Sequence, residues 1–272
     1  MRITTTFTPF KDLSAADLRT WIRERTAGSF TLLDVRQPNE YQTGHVPGAV
    51  LLPLPELPDR LDEVDHRRPI VVYCRSGNRS RSASALLAGD GTEVFNLAGG
   101  ILAWDGQAAT GPAEAGRDLI GDRTSPDQLV ALAWALEEGA GQFYRGIAGK
   151  ASDERARRMF LALAGAEEGH KRKVLDAWRS VTGQEQANDP VRQDPPGVME
   201  GGLSVSETLD FLQSRDSREI LEVAMQIEVN SLDLYLKIIR WSGSPSVRDI
   251  FLQLVAEEKK HLENLGRQLE EW

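Results

Sequence analysis

Ala166-Glu167-Glu168-Gly169-His170 and Ala256-Glu257-Glu258-Lys259-Lys260-His261 carry one pattern twice, Glu-x-x-His, each time on a strongly helical background. On a helix, residues three apart stand one turn apart on the same face. Glu167 with His170, and Glu258 with His261, can therefore each offer a carboxylate and an imidazole to one metal ion. Upstream of each pair a further glutamate stands seven residues before a tyrosine, Glu137 before Tyr144 and Glu228 before Tyr235. Glu137 and Glu228, Tyr144 and Tyr235, Phe160 and Phe251, Glu167 and Glu258, and His170 and His261 are all 91 positions apart, with no gap. An ungapped repeat that carries its candidate ligands with it predicts two copies of one helical hairpin.

The hairpins are expected to turn near Gly149 to Ser152 and near Ser242 to Ser244. Equal counts from each turn to the candidate ligands put them within roughly one helical turn of the same height, at about 1.5 Å per residue. Two such hairpins packed antiparallel bring four carboxylates and two imidazoles to one point. A lone Glu-x-x-His is most often a solvated helix face; duplication in register, each copy with a matching glutamate, favours a metal site. Glu168 and Glu257 fall off this register and read as exposed acids. Tyr144 and Tyr235 lie about two turns along the faces of Glu137 and Glu228, either as redox or hydrogen-bonding groups beside the site or as ordinary core residues.

This constellation resembles the ferritin-like di-iron carboxylate proteins, and among them the rubrerythrin family, over residues 125–272. The resemblance implies an all-α ferritin-like four-helix bundle with a long crossover. It implies Glu137, Glu167, His170, Glu228, Glu258 and His261 as ligands of two iron ions, with Glu167 and Glu258 bridging, and manganese or zinc as alternatives. It also implies reaction with O2 or peroxide, and a homodimer is common among such hairpins. Two features depart from the family. Rubrerythrins usually pass electrons through a four-cysteine iron site, whereas this chain has one cysteine, and Ser231 stands where many carry an extra carboxylate. The plainer symmetric site suits an oxidase, a ferroxidase or a sensor.

The helix boundaries follow from capping chemistry. Ser125-Pro126-Asp127-Gln128 supplies an N-cap serine, proline at the first helical position and Gln at N3, predicting a helix through Ile147. A second helix is expected from near Ser152 to about Val181. Gly183 to Gly202 is polar with three prolines and reads as the crossover, followed by a short helix opened by Ser204-Val205-Ser206-Glu207. The third helix is predicted over Ser217 to Trp241 and the fourth from Ser244-Pro245 almost to Trp272.

A chain of 272 residues with 40% hydrophobic content is enough for two packed domains. Its net charge of -9 argues against a nucleic-acid or anionic-membrane surface. Met1 to Phe7 has no apolar run of signal-peptide length, and no stretch approaches the ~20 apolar residues of a membrane span. A cytoplasmic protein is expected. The single cysteine, Cys74, excludes an internal disulfide.

Residues 1–108 alternate strand and helix patterns. Asp12 to Arg25 has helical spacing, with Leu13, Leu18, Trp21 and Ile22 as its apolar stripe. Phe30 to Val35, Val50 to Leu52, Pro69 to Tyr73 and Glu93 to Leu97 read as strands, and Ser80 to Ala88 as a helix. The strand ending at Tyr73 runs into Cys74-Arg75-Ser76-Gly77-Asn78-Arg79 and then a helix. In that setting loop N–H groups, a helix N-terminus and two arginines all favour the thiolate. His45 sits in a turn and reads as structural, and His66 as exposed.

Asp34-Val35-Arg36, Glu40-Tyr41, Gly44-His45-Val46-Pro47-Gly48-Ala49, Cys74 to Ser80 and Leu97-Ala98-Gly99-Gly100 together resemble the rhodanese domain. That implies an α/β fold with a central parallel sheet over 1–108, with 109–124 as linker to the helical domain. It implies that Cys74 carries sulfane sulfur as a persulfide, taken from a small-molecule donor such as thiosulfate and passed to a thiophilic acceptor. Arg75 and Arg79 would hold the anionic donor, the N–H groups of Ser76, Gly77 and Asn78 would cradle the persulfide, and Asp34 and Arg36 would brace the loop. A phosphatase loop is one residue longer, which disfavours phosphate chemistry. The expectation for the whole chain is a bifunctional redox protein in which the persulfide is coupled to a di-iron centre. The alternative is a sulfurtransferase whose helical domain is a metal-binding or dimerising scaffold without redox catalysis.

Overall fold

Ile70-Val71-Val72-Tyr73, apolar and buried throughout, becomes the middle strand of a five-stranded parallel sheet, as expected of a strand covered on both faces. The strands are β1 (Lys11–Leu13), β2 (Thr31–Asp34), β3 (Val50–Leu51), β4 (Ile70–Tyr73) and β5 (Val94–Leu97), in the order β1-β5-β4-β2-β3. Alternation along β4 divides its side chains between two cores. Ile70 and Val72 join Leu33, Ala83, Leu87 and Val94, while Val71 and Tyr73 join Leu18, Leu32, Phe95 and Leu97. The first helices are α1 (Ala15–Glu24), α2 (Pro38–Gln42) and α3 (Asn78–Leu87).

The structure, a computed structural model, describes residues 10–88, 91–117, 125–151, 153–183, 197–199 and 202–270. The chain divides into two compact units, Met1–Ala113 and Glu114–Trp272. Ala109 of the predicted linker exchanges backbone hydrogen bonds with His45, and the Gly111 N–H donates to Gln42 O, so its first residues are stitched into the first unit. Residues 118–124 of that linker lie outside the described residues, as do Met1 to Phe7. Among the described residues no helix is long and apolar enough to cross a membrane.

The helical reading of Asp12 to Arg25 needs correction. Lys11–Leu13 pairs with Phe95–Leu97 as a sheet edge, and the helix begins after Ser14, whose side chain accepts from the Asp17 N–H. Three strand residues are too few to show a period, and Leu13 is buried in the same apolar cluster as Leu18. Helix α3 likewise starts at Asn78 and not at Ser80, because its N-cap is Gly77 in the left-handed region, with no capping side chain to mark it.

The second unit is mostly helical. Ser125 and Gln128 form the expected capping box on α4 (Pro126–Lys150), and Asp153 caps α5 (Glu154–Thr182); Ser152 lies outside the described residues. Helix α7 (Ser217–Trp241) opens with an Asp216/Glu219 capping box, and α8 spans Pro245–Glu270. Helix α4 packs along α5 and α7 along α8, and the pairs meet through α5 with α8 and α4 with α8.

Most of the predicted crossover, 184–196, 200 and 201, lies outside the described residues. The described part holds an antiparallel ribbon, β6 (Val198–Met199) with β7 (Leu203–Ser204), then α6 (Val205–Phe211), capped by Ser204. The ribbon seats on α4 where glycine allows it. A Cβ on Gly139 would run into the Val198 carbonyl, and one on Gly146 would meet Leu209 at 2.7 Å.

Two glycine substitutions separate shape from propensity. Gly165 is an exposed position within α5 with open space around it, so Gly165→Ala should raise stability by about 0.5–1 kcal/mol. Gly100 has φ +59, and a Cβ there would overlap the Cys74 carbonyl and lie 2.7 Å from the Arg75 backbone. Gly100→Ala should therefore lower stability by at least about 2 kcal/mol. Denaturant midpoints measure both.

Candidate active site and candidate metal centre

Cys74 follows directly on β4, at the carboxyl end of the central strand, where open parallel sheets form their binding crevices. It is 1% exposed. The chain then turns through Arg75–Gly77 into α3, and the Gly77 N–H points at Cys74 Sγ, 3.2 Å away. The Ser80 hydroxyl lies 3.4 Å from the same sulfur. Burial pushes the Cys74 thiol up, but hydrogen bonds from the Ser80 hydroxyl and from the N–H groups of Ser80, Ser76 and Gly77 outweigh it, so the thiol ionises below its ordinary range. The turn at Gly99 and Gly100 closes the loop from behind, with Ile101 N–H donating to Cys74 O and Leu102 N–H to Arg75 O.

The two arginines differ. Arg75 is exposed, whereas Arg79 forks onto the Glu40 carboxylate at 2.6 and 2.7 Å. Asp34 and Arg36 form a buried fork, and Arg36 Nη2 continues to Gly44 O at 2.7 Å. Their direct bracing is of the turn at Gly44, which in turn holds His45. That imidazole is buried, stacked on Tyr41 and 3.1 Å from the Tyr41 carbonyl. His66 is exposed, 3.2 Å from Leu61 O.

In the second unit the six residues of the repeat meet in one buried cluster, each at most 7% exposed. The His170 and His261 rings stack with centroids 4.8 Å apart. His170 Nδ1 lies 2.9 Å from Glu137 Oε2 and 3.0 Å from Glu167 Oε2, and His261 Nδ1 lies 3.3 Å from Glu228 Oε2. Glu167 turns its other oxygen toward His261 at 3.8 Å, and Glu258 has one oxygen 3.8 Å from each imidazole. Three sets of donor atoms converge within 4.8 Å: Glu137, His170 and Glu258; Glu228, Glu258 and His261; Glu167, His170 and His261.

The tyrosines cross between hairpins. Tyr235 donates to Glu137 Oε1 at 2.6 Å, and Tyr144 donates to Glu228 Oε1. Burial and the neighbouring Glu228, Glu137 and Glu167 carboxylates raise Glu258 well above the usual carboxylate range. Burial works against the charged form of Glu228 as well, but His261, Glu258 and Tyr144 bring it down to about 2. For His170, burial lowers the value, and Glu137 reverses this and raises it. Glu168 points away to Arg145 and Lys171, and Glu257 to Lys173 and Lys260.

Relatives bear on the first unit. The family profile of the rhodanese-like domain matches residues 14–107. A sulfurtransferase from Allochromatium vinosum is 46% identical over 74 residues, which is 27% of this chain and 69% of that protein. The chain belongs to the rhodanese-like domain family. Thiosulfate sulfurtransferase GlpE of Pseudomonas syringae is 38% identical over 84 residues, 30% of this chain and 76% of that protein. The HTH-type transcriptional regulator Rv0324 of Mycobacterium tuberculosis is 47% identical over 85 residues, 30% of this chain, and the chain spans only 38% of its length. A crystal structure of a rhodanese-like domain protein from Staphylococcus aureus is 28% identical with TM-score 0.33, covering 36% of this chain and 93% of that one.

Three residues of the rhodanese-like unit escaped the sequence reading as site residues: Glu40, Ser80 and Asn96. Asn96 carried a signal, since it is the one polar side chain in the buried strand Val94-Phe95-Asn96-Leu97. Ser80 donates to Asn96 Oδ1 at 2.6 Å. Glu40 is held at about 2 by Arg79. A depressed carboxylate stabilises the fold fully above its ordinary value of 4.5 and loses that contribution as pH falls toward 2. The stability difference between wild type and Glu40→Gln should therefore shrink through that window; a difference independent of pH would remove the ion pair as its cause.

Proposed function

We propose that this chain is a sulfurtransferase that carries sulfane sulfur on Cys74, joined to a ferritin-like four-helix unit that binds two iron ions and reacts with O2 or peroxide. The sulfur-transfer half is supported by the sulfurtransferase relatives and by a buried sulfur that receives an N–H from its own loop. The Cys74 thiolate attacks the outer sulfur of thiosulfate, the S–S bond of the donor breaks, and sulfite leaves with the electron pair. A thiophilic acceptor then attacks the terminal sulfur, and Sγ leaves as thiolate. The loop N–H groups stabilise the anion in both steps, and the exposed Arg75 is the cation free to meet an anionic donor, because Arg79 is held by Glu40.

The metal-binding half rests on one observation. Glu167 and Glu258 each turn their two oxygens toward the two imidazoles, the disposition of bridging carboxylates, while Glu137 and Glu228 each serve one imidazole. A test of fit is available. Glu258 Oε2 is buried with no hydrogen-bond partner, an arrangement that costs about 1–3 kcal/mol unless a cation supplies the missing partner. Carboxylates with two imidazoles suit iron or manganese. Two irons held there would supply reversible ferrous–ferric electron chemistry toward an O–O bond. The chain's own part is to orient Glu137 through Tyr235 and Glu228 through Tyr144, to keep bulk water out and to set each Nδ1 against carboxylate oxygens.

Thiosulfate treatment should leave one cyanide-labile sulfur per chain, absent in Cys74→Ser; no labile sulfur in wild type would remove the sulfurtransferase reading. Protein purified without oxygen should bind about two irons per chain, and one equivalent of hydrogen peroxide should change its near-ultraviolet absorption. No iron after reconstitution, or iron indifferent to peroxide, reduces the helical unit to a scaffold. Coupling between the two requires that sulfane sulfur donors reduce bound ferric iron faster in wild type than in Cys74→Ser, and equal rates rule it out.

Metal removal gives a further check. Glu258→Gln keeps the shape of the protonated acid and spares the fold the cost of neutralising a carboxyl that burial and three carboxylates oppose in its charged form. The metal-free variant should melt above metal-free wild type, and added iron should raise the melting temperature of wild type alone.

A further inference from the structure

The Ser80 hydroxyl has one proton and three acceptors within reach: Asn96 Oδ1 at 2.6 Å, Gly77 O at 3.1 Å and Cys74 Sγ at 3.4 Å. Ser80 and Asn96 are 0% and 1% exposed, so water does not compete. The orientation of Asn96 decides where the proton goes. Its Nδ2 donates to Asp12 Oδ1 at 2.7 Å, and a carboxylate only accepts. Asp12 thus fixes the Asn96 amide with its oxygen toward Ser80, which draws the Ser80 proton away from the sulfur. Asp12 itself is half exposed on β1 and paired with Arg81 at 2.9 Å.

We propose that Ser80 is a positioning residue that toggles between Asn96 and Cys74, and that the Asp12–Asn96 pair sets how readily it turns. While Sγ holds its proton, S–H donates to Ser80 Oγ and Ser80 donates to Asn96. When Sγ is ionised, the Ser80 proton turns to Sγ and the Asn96 bond is released. No covalent bond changes beyond the departure of the thiol proton. Asp12 and Ser80 therefore act on the sulfur in opposite directions: Ser80 stabilises the thiolate, and Asp12, through Asn96, holds that stabilisation back. The other charged groups around the loop are Arg79 with Glu40, Arg36 with Asp34, and Arg75, and none of them is altered in the test.

The inference rests on Cys74 as the reactive sulfur, but its test reads thiol ionisation and not sulfur transfer. Cys74 is the only cysteine, so its alkylation by iodoacetamide can be followed against pH in the full chain. Ser80→Ala should move the midpoint of the profile up and slow alkylation at neutral pH about tenfold, the scale of a hydrogen bond to a charged group. Ser80→Thr, which keeps the hydroxyl, should restore the profile and guards against a folding defect. Asp12→Ala should move the midpoint down and speed alkylation. In the double variant the Asp12→Ala effect should vanish, because its route through Ser80 is gone. Shifts of both single variants in the same direction would overturn the proposal. So would an Asp12→Ala effect that survives in the Ser80→Ala background, since Asp12 would then act as a through-space charge. An intact cycle in a chain that takes no sulfur from any donor would leave the toggle standing and remove the sulfurtransferase reading alone.

Discussion

Four carboxylates gathered around two imidazoles inside a helical core are the constraint on which the second unit depends. Buried like charges repel strongly at low dielectric, and a fold that tolerates them must share protons, supply donors or bind a cation. The unit supplies donors directly, and burial among like charges favours the first. Glu258 is pushed toward its neutral form, and Tyr144 and Tyr235 each donate to a glutamate of the opposite hairpin. The Glu258 oxygen left without a partner is the residue of the problem. On the proposed reading a pair of cations answers it, so that the apolar core of the same unit, with Phe143, Phe160, Leu221 and Ile227, works against electrostatic strain until metal binds.

The rhodanese-like unit solves the inverse problem. There the buried group is one sulfur, and the fold brings donors to it: the Gly77 N–H, the neighbouring loop amides and a hydroxyl. Its charged side chains are mostly committed to each other, Asp34 to Arg36 and Glu40 to Arg79. Backbone dipoles that are fixed in place need no reorganisation when charge develops on the sulfur, which is why such a loop tolerates having one of its two arginines engaged elsewhere.

The sequence was most legible where a period or a cap leaves a local signature. The 91-residue repeat located all six clustered residues, because helix geometry turns spacing directly into a shared face, and Ser125 and Ser204 announce their helices by capping chemistry. The fourth-strand-to-cysteine junction was equally plain. What escaped depended on pairing between distant segments. Lys11–Leu13 becomes a strand only because Phe95–Leu97 lies beside it, and no local pattern says that Glu40 will take Arg79 or that Asn96 will take Ser80. The ribbon of Val198–Met199 and Leu203–Ser204 is two residues a side, below the length at which alternation can be read.

The repeat also breaks where it must. Gly139 and Gly146 on the first hairpin let the ribbon and α6 approach the helix backbone, and the positions 91 residues on are Asn230 and Lys237. Lys237 is fully buried and ion-paired to Asp233 at 2.7 Å within its own helix. Two hairpins of one chain can share an inner face, since the clustered carboxylates and imidazoles are needed from both. They need not share the face of α4 on which the described ribbon and α6 seat. The clustered glutamates and histidines and their two tyrosines are therefore the same in both hairpins, the two glycines are not, and the glycine pair marks, within the sequence itself, the helix on which the ribbon and α6 seat.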